Sequence, residues 1–592
     1  MEGGQVRTAI YGGCNSSGAV SGVVNVNVLG GTLGTDADHT INIHGGGYGQ
    51  ATSTGNDVTV NIGQESKSAA YPTIWGDVYG GSAKGNVNAS TANTTTVNIN
   101  NTVLHGNVFG GGLGEKTASG HYDDGSYVVT DSVPALVLGN SVVNIGTSSQ
   151  ESNNIQISGS VFGGNNYCGS ALGFTTVHIW KTAHTAANTA PSQSGSPEVG
   201  TITTLATLGT EPENFALQAV YGGGNLAHYN PANTLYGGTA GKRAFVHVHG
   251  CDNTVRYLYG GGNAANTPAD SVIIDGGRFY KIFGGGNGER ADLPGADLTE
   301  GNAYTLVKGG VYNAVFGGSN TKGVIAKDMK LNIAPDGGCG LELIGDLFGG
   351  GNLAPSKGGN LTIECGDIVL GNVYGGANAA YVDGDVTLTL KGGNSIDYVF
   401  GGSKSVADED HVGGYAINGN VTLILKGGTI TNAFGGSDTK GNIKGIISVL
   451  VDDAEDAGCP LKVDNVYGGG KDAAYTPQNP SVATPTVDVV NGTVNNAVFG
   501  GGLGADAKIT ANPTVRIGGT GAKHAVVGGT KIAGGTGEGN VFGGGSEADV
   551  LKNGDNTGNT SVTLSGNAEI MGNVYGGGNR AAVEGNTQVK ME

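Results

Sequence analysis

One short phrase recurs along the whole chain: an aliphatic residue or alanine, then Phe or Tyr, then two glycines, often followed by Gly-Asn. Seventeen copies occur, with their aromatic residues at Tyr11, Tyr79, Phe109, Phe162, Tyr221, Tyr236, Tyr259, Phe283, Phe316, Phe348, Tyr374, Phe400, Phe434, Tyr467, Phe499, Phe542 and Tyr575. Nine of the thirteen phenylalanines occupy this slot, so it is where the fold places its large side chains. From Phe283 onward the copies mostly lie 26 to 34 residues apart, and "IHGGG" at Ile43 and "VVGGT" at Val526 read as degenerate copies. Self-similarity at such a period marks a repeat architecture, in which a unit too small to bury its own apolar face stacks on its neighbours. The 592 residues therefore read as a single repeat domain, 1–592, although length alone would suggest several domains.

Upstream of each phrase lies a second regular piece. "DVTLTLKGG" alternates Val386, Leu388 and Leu390 with polar residues, and "NVTLILKGG" repeats the pattern with Val421, Leu423 and Leu425. "DVTVNIG" does so with Val58, Val60 and Ile62, "FVHVHG" with Val246 and Val248, and "TSVTLSG" with Val562 and Leu564. Period two over short β-branched runs means strands with one buried face. One repeat then reads as a Gly-Asn or Gly-Asp corner, a strand, a Gly-Gly turn, a short strand ending in the aromatic, and a "GGGN" corner. The connection after that corner varies most in length, which puts the insertions at one corner of the repeat.

These features specify an all-β fold, an elongated parallel β-solenoid (β-helix) built from about 26–34-residue repeats, with inward Val, Leu and Ile stacked along its axis. The chain has 115 glycines, and each one fixed in a strand costs about 0.5–1 kcal/mol relative to alanine. Most must therefore have a geometric purpose. The expectation is that "GGGN" forms a corner where glycine reaches positive φ and lets neighbouring repeats approach, with the asparagines aligned in a ladder. A kelch propeller shares the "VFGG" strand, but its blades need four strands in about 50 residues, and two strands per 26–34 residues do not supply them.

The "VFGGGN" and "VTLxLxGG" patterns, which cover nearly the whole chain, resemble the Gly-rich parallel β-helix passenger and adhesin proteins of bacterial surfaces. They also resemble large repeat proteins of Bacteroidetes-type anaerobes. The resemblance implies a secreted or cell-surface scaffold. Autotransporter passengers usually end in a membrane barrel, whereas this sequence ends "GNTQVKME", a departure that leaves the secretion route open.

Net charge is −19 with no basic cluster, so nucleic acid, whose phosphates attract a basic face, is not an expected partner. No apolar run approaches the roughly 20 residues of a membrane helix, and the N-terminus lacks the basic and apolar regions of a secretory signal. Cys14, Cys168, Cys251, Cys339, Cys365 and Cys459 lie far apart with no CxxC pair and read as isolated buried thiols.

Chemistry-bearing motifs are scarce. "YGGTAGKR" at Tyr236 lacks the first glycine and the hydroxyl of a P-loop, and HExxH and GxSxG are absent. His247 and His249 share one strand face and could touch one metal, but alternation makes them first a solvent-facing pair. The acidic groups Asp123–Asp124, Asp408–Asp410 and Asp452–Asp453 lie in connections without EF-hand spacing and read as solvated loops. Asp383 and Asp385 in "VDGDV" fit turn chemistry.

The expected site inventory is accordingly no catalytic residue, no cofactor and no metal. The expected function is a non-enzymatic extracellular scaffold or adhesin that binds host or cell-surface glycans or proteins through its variable connections. The alternative is a polysaccharide-degrading β-helix lyase or hydrolase, with carboxylates of neighbouring repeats forming the site. Both ends fall inside a repeat, since "GNTQVKME" joined to "EGGQVRTAIYGG" makes nearly one whole unit. The chain therefore reads as a piece of a longer protein, with bare ends able to associate end to end.

Overall fold

A computed structural model describes residues 6–592 except 67–70, 117–119, 124–125, 130–131, 149–153, 183–214, 289–298, 344, 367, 407–414, 454–457, 480–483 and 555. The protein is all-β. Among the described residues the only helical element is one 3-10 turn, Thr234–Tyr236. The chain divides into two compact units. The first comprises 1–313 with 319–327 and 338–340, and the second comprises 314–318, 328–337 and 341–592.

In the first unit the alternating runs form one parallel ladder of strands. Val24–Val28 pairs with Val58–Ile62, that strand with Thr94–Ile99, and pairing continues through Asn140–Ile145, Thr175–Ile179, Ala244–Val248 and Asp270–Ile274 to Ala303–Val307. Every pair is in register, and the last inward position is apolar on every strand, from Val28 through Ile62, Ile99, Ile145, Ile179, Val248 and Ile274 to Val307. Val58, Val60 and Ile62 are buried while Thr59 and Asn61 between them are half-exposed. A second parallel ladder carries the aromatic slot, from Ala9–Tyr11 paired with Asn42–His44 to Thr254–Tyr259 paired with Arg278–Phe283.

The second unit repeats both ladders. Gly359–Ile363, Val386–Lys391 and the first half of Val421–Phe434 pair in parallel, and the aromatic-bearing strands run from Leu347–Phe348 to Val574–Tyr575. Strands of such residues hold this arrangement because each buried Val, Leu or Ile contributes about 1.5–3 kcal/mol, while neighbouring repeats satisfy the backbone groups.

The aromatic slot is a column of stacked rings. In the first unit Tyr11, His44, Tyr79, Phe109, Phe162, Tyr221, Tyr259 and Phe283 follow one another with centroids 4.6–5.0 Å apart and planes within 9°. In the second unit the column runs Phe316, Phe348, Tyr374, Phe400, Phe434, Tyr467, Phe499, Phe542 and Tyr575 at the same spacing. Phe283, Phe316, Phe400, Phe499 and Phe542 are all buried, as their slot requires. "IHGGG" is a true copy: His44 takes a ring position, and burial depresses its pKa to about 3, so it serves as a neutral aromatic.

Two copies depart from the expectation. Tyr236 lies in the 3-10 turn instead of a strand, because its phrase is not preceded by an alternating run. "VVGGT" forms the strand Ala525–Val527, which pairs with Gly492–Val494, and the ring position of that repeat belongs to Phe542.

The glycine corner works differently from the expectation. None of Gly222, Gly223, Gly260 or Gly261 has positive φ. Their N–H groups extend the ladder instead, Gly222 N to Tyr259 O at 3.1 Å and Gly223 N to Gly261 O at 3.1 Å. A Cβ on Gly222 would run into the Gly260 carbonyl oxygen of the next repeat, so close approach alone demands glycine there. Positive φ occurs instead in the turn between the two strands, as at Gly428 with φ 100°, and in the connection beyond the corner, as at Gly288 with φ 78°. The asparagine ladder does form: Asn225, Asn263, Asn287 and Asn320 each donate to the preceding asparagine's carbonyl, starting at Asn166, at 2.8–2.9 Å.

The cysteines correct the isolated-thiol reading. Cys251 pairs with Cys339 and Cys365 with Cys459, across 88 and 94 residues, while Cys14 and Cys168 are free. The Cys339 side chain packs against Gly276 and Gly309, turn glycines of intervening repeats, whose missing side chains leave it room. Insertions also fall in both connections of the repeat. Residues 180–216 separate the two strands of one repeat, and 528–539 interrupt another between Ala525–Val527 and Asn540–Phe542.

Candidate functional site

Along the outer face of the first unit's alternating ladder, one register position reads Asn27, Asn61, Asn98, Asn144, His178, His247. The four asparagines bond amide to amide at 2.8–2.9 Å. The ladder then changes chemistry. His178 and His247 sit directly opposite each other on neighbouring strands. His249, two residues along from His247, emerges on the same face because side chains alternate with period two. Asp275 follows the next strand, Asp270–Ile274, and its N–H bonds to Val248 O at 2.9 Å, which brings the carboxylate alongside.

The three imidazoles form one cluster, with a ring nitrogen from each lying within 4.8 Å of the others. His178 Nδ1 lies 2.9 Å from His249 Nε2, and His247 Nε2 lies 3.0 Å from Asp275 Oδ2. His249 Nδ1 is 4.0 Å from the same carboxylate oxygen. Trp180 covers His249 from one side, its ring stacked at 3.6 Å and 4°. Burial, reinforced by the neighbouring His247 and His178, pushes His249 down to about 4, and burial with His247 also lowers His178. Both rings are therefore neutral at pH 7. Burial opposes ionisation of Asp275, but the Lys308 ammonium at 3.1 Å and the His247 contact outweigh it and hold the carboxyl below its usual value.

Sequence reading singled out His247 and His249 but missed His178 and Asp275. The signal was available: aligning "TTVNI", "SVVNI" and "TTVHI" puts His178 in the slot of Asn98 and Asn144. Among the described residues the other flagged groups do not converge. Asp452 pairs with Lys523 at 2.8 Å. Asp383 pairs with Lys357 at 3.1 Å, and Asp385 accepts from the Asn420 N–H at 2.7 Å, in keeping with turn chemistry. Asp408–Asp410 lie outside the described residues, as does Asp124.

The second unit carries an open groove of about 730 Å³, lined among others by Lys462, Asn495, Lys531, Ile532, Glu569 and Met571. It holds two cationic side chains and a single carboxylate. Comparison with protein-family models, curated proteins and solved structures returned no match for the chain.

Proposed function

We propose that the chain is a non-enzymatic scaffold, a parallel β-solenoid in each unit, that works outside the cell and binds glycan or protein ligands on its surface and inserted connections. The observation that carries this reading is how the carboxylates are used. They tie one repeat to another through cations, as in Glu364–Lys391, Asp438–Lys471 and Asp488–Arg516 between neighbours and Asp346–Lys404 two repeats apart, at 2.5–3.1 Å. A glycoside hydrolase instead needs two carboxyl groups facing each other across a cleft, about 5–10 Å apart. The groove beside Glu569 has only one. Two disulfides fit an oxidising compartment and support the extracellular placement.

Array binding and depolymerisation assays on the same polysaccharide panel test the reading. The expected outcome is retention of particular glycans or proteins with no change in chain length. Shortened polysaccharide, with the shortening lost in Glu569→Gln, would replace this reading with the lyase or hydrolase one.

A further inference from the structure

We propose that His178, His247 and His249 form a binding site for a late first-row divalent cation of the Zn²⁺ class, with Asp275 supplying the adjacent negative charge. This goes beyond the scaffold reading and does not depend on it. The first argument is the break in the pattern. Four asparagines satisfy one another along this register, and a fifth and sixth would have continued the ladder. Histidine at both following positions, plus a third at His249, replaces a self-satisfied amide chain with three nitrogen ligands on a rigid sheet. Departures from an otherwise consistent local rule are where functional sites are expected.

The second argument is ligand chemistry. Imidazole nitrogens suit Zn²⁺ and its neighbours, and a three-histidine set is a known way to bind zinc while leaving a coordination place open. His178 Nδ1 and His249 Nε2 already face each other at 2.9 Å. Ligand atoms around a tetrahedral zinc stand about 3.3 Å apart, given Zn–N bonds of about 2.0–2.1 Å, so small rotations of two rings open the required space. The Asp275 carboxylate lies 3.0 Å from His247 and is steadied by Lys308, the arrangement by which an outer carboxylate orients a metal-binding imidazole. Trp180 over His249 keeps water from one side of the ring.

The test uses the full chain, stripped with a chelator, dialysed, and titrated with Zn²⁺ by calorimetry and with Co²⁺ by visible absorption. One equivalent of Zn²⁺ is expected at neutral pH, and Co²⁺ should give the intense absorption of a four-coordinate site. His178→Asn and His247→Asn extend the asparagine ladder, so their melting temperatures in chelator should match the parent. Each should nevertheless weaken Zn²⁺ binding at least tenfold. His39→Ala, which removes an exposed histidine bonded to Asp36, should leave binding unchanged. No stoichiometric binding, unaltered affinity in His247→Asn, or loss of binding on replacing the free thiols Cys14 and Cys168 by serine would each overturn the proposal.

Discussion

Asp270 occupies a position whose register neighbours are Ala244 on one side and Ala303 on the other. It is 2% exposed; one carboxylate oxygen accepts from the Thr299 hydroxyl at 2.5 Å and the other has no hydrogen-bond partner. Burial outweighs the Thr299 and Thr267 hydroxyls and carries its pKa up to about 7. In the unfolded chain the group titrates near about 3.9. Below about pH 4 both states hold the proton and no penalty arises. Between about pH 4 and about pH 7 the folded state keeps a proton the unfolded state has released, so stability falls as pH rises, by about 1.4 kcal/mol per unit. Asp270→Asn abolishes this titration without changing the side chain's size. Its melting temperature should exceed the parent's at pH 8, and the gap should close towards pH 4. A gap of equal size at both pH values would assign the effect to packing.

At the scale of the strand, the aromatic column does for each repeat what a core layer does for a globular domain. Phe400 is fully enclosed, with Tyr374 and Phe434 stacked 5.0 Å away on either side. Phe400→Ala leaves a hole between two rings that neighbouring ladders hold in place, so collapse is limited and a loss of about 3–5 kcal/mol is expected by denaturant titration. A loss below 0.5 kcal/mol would contradict an enclosed ring. These strands were legible in the sequence because period two and the aromatic slot are written locally, residue by residue. The corner glycines were only half legible: composition announced a geometric purpose, but whether φ or close approach set it depends on a carbonyl in the next repeat. The disulfides were not legible, because Cys339 and Cys459 reach their partners through segments whose course no local pattern encodes. The histidine cluster lay between these cases, with two members visible on one strand and two supplied by neighbouring strands.

At the scale of the molecule, each unit keeps its own disulfide and its own uninterrupted ring column. At the start of the first unit the repeats keep register: Val24 faces Val58, which faces Thr95, and His44 and Phe109 both stack on Tyr79. That register bears on inheritance. When both edges of a repeat present the same pattern, a whole repeat can be lost or copied and its neighbours still meet correctly, so copy number drifts while the architecture persists. Excising residues 58–94 places Thr95 against Val24, Leu104 against Leu33 and Phe109 against His44. The shortened chain should unfold cooperatively, with near-UV dichroism retained per ring, whereas loss of cooperativity would show that this repeat is not interchangeable. A lineage carrying such a gene can lengthen or shorten its product by recombination between copies, without inventing a new fold at any step.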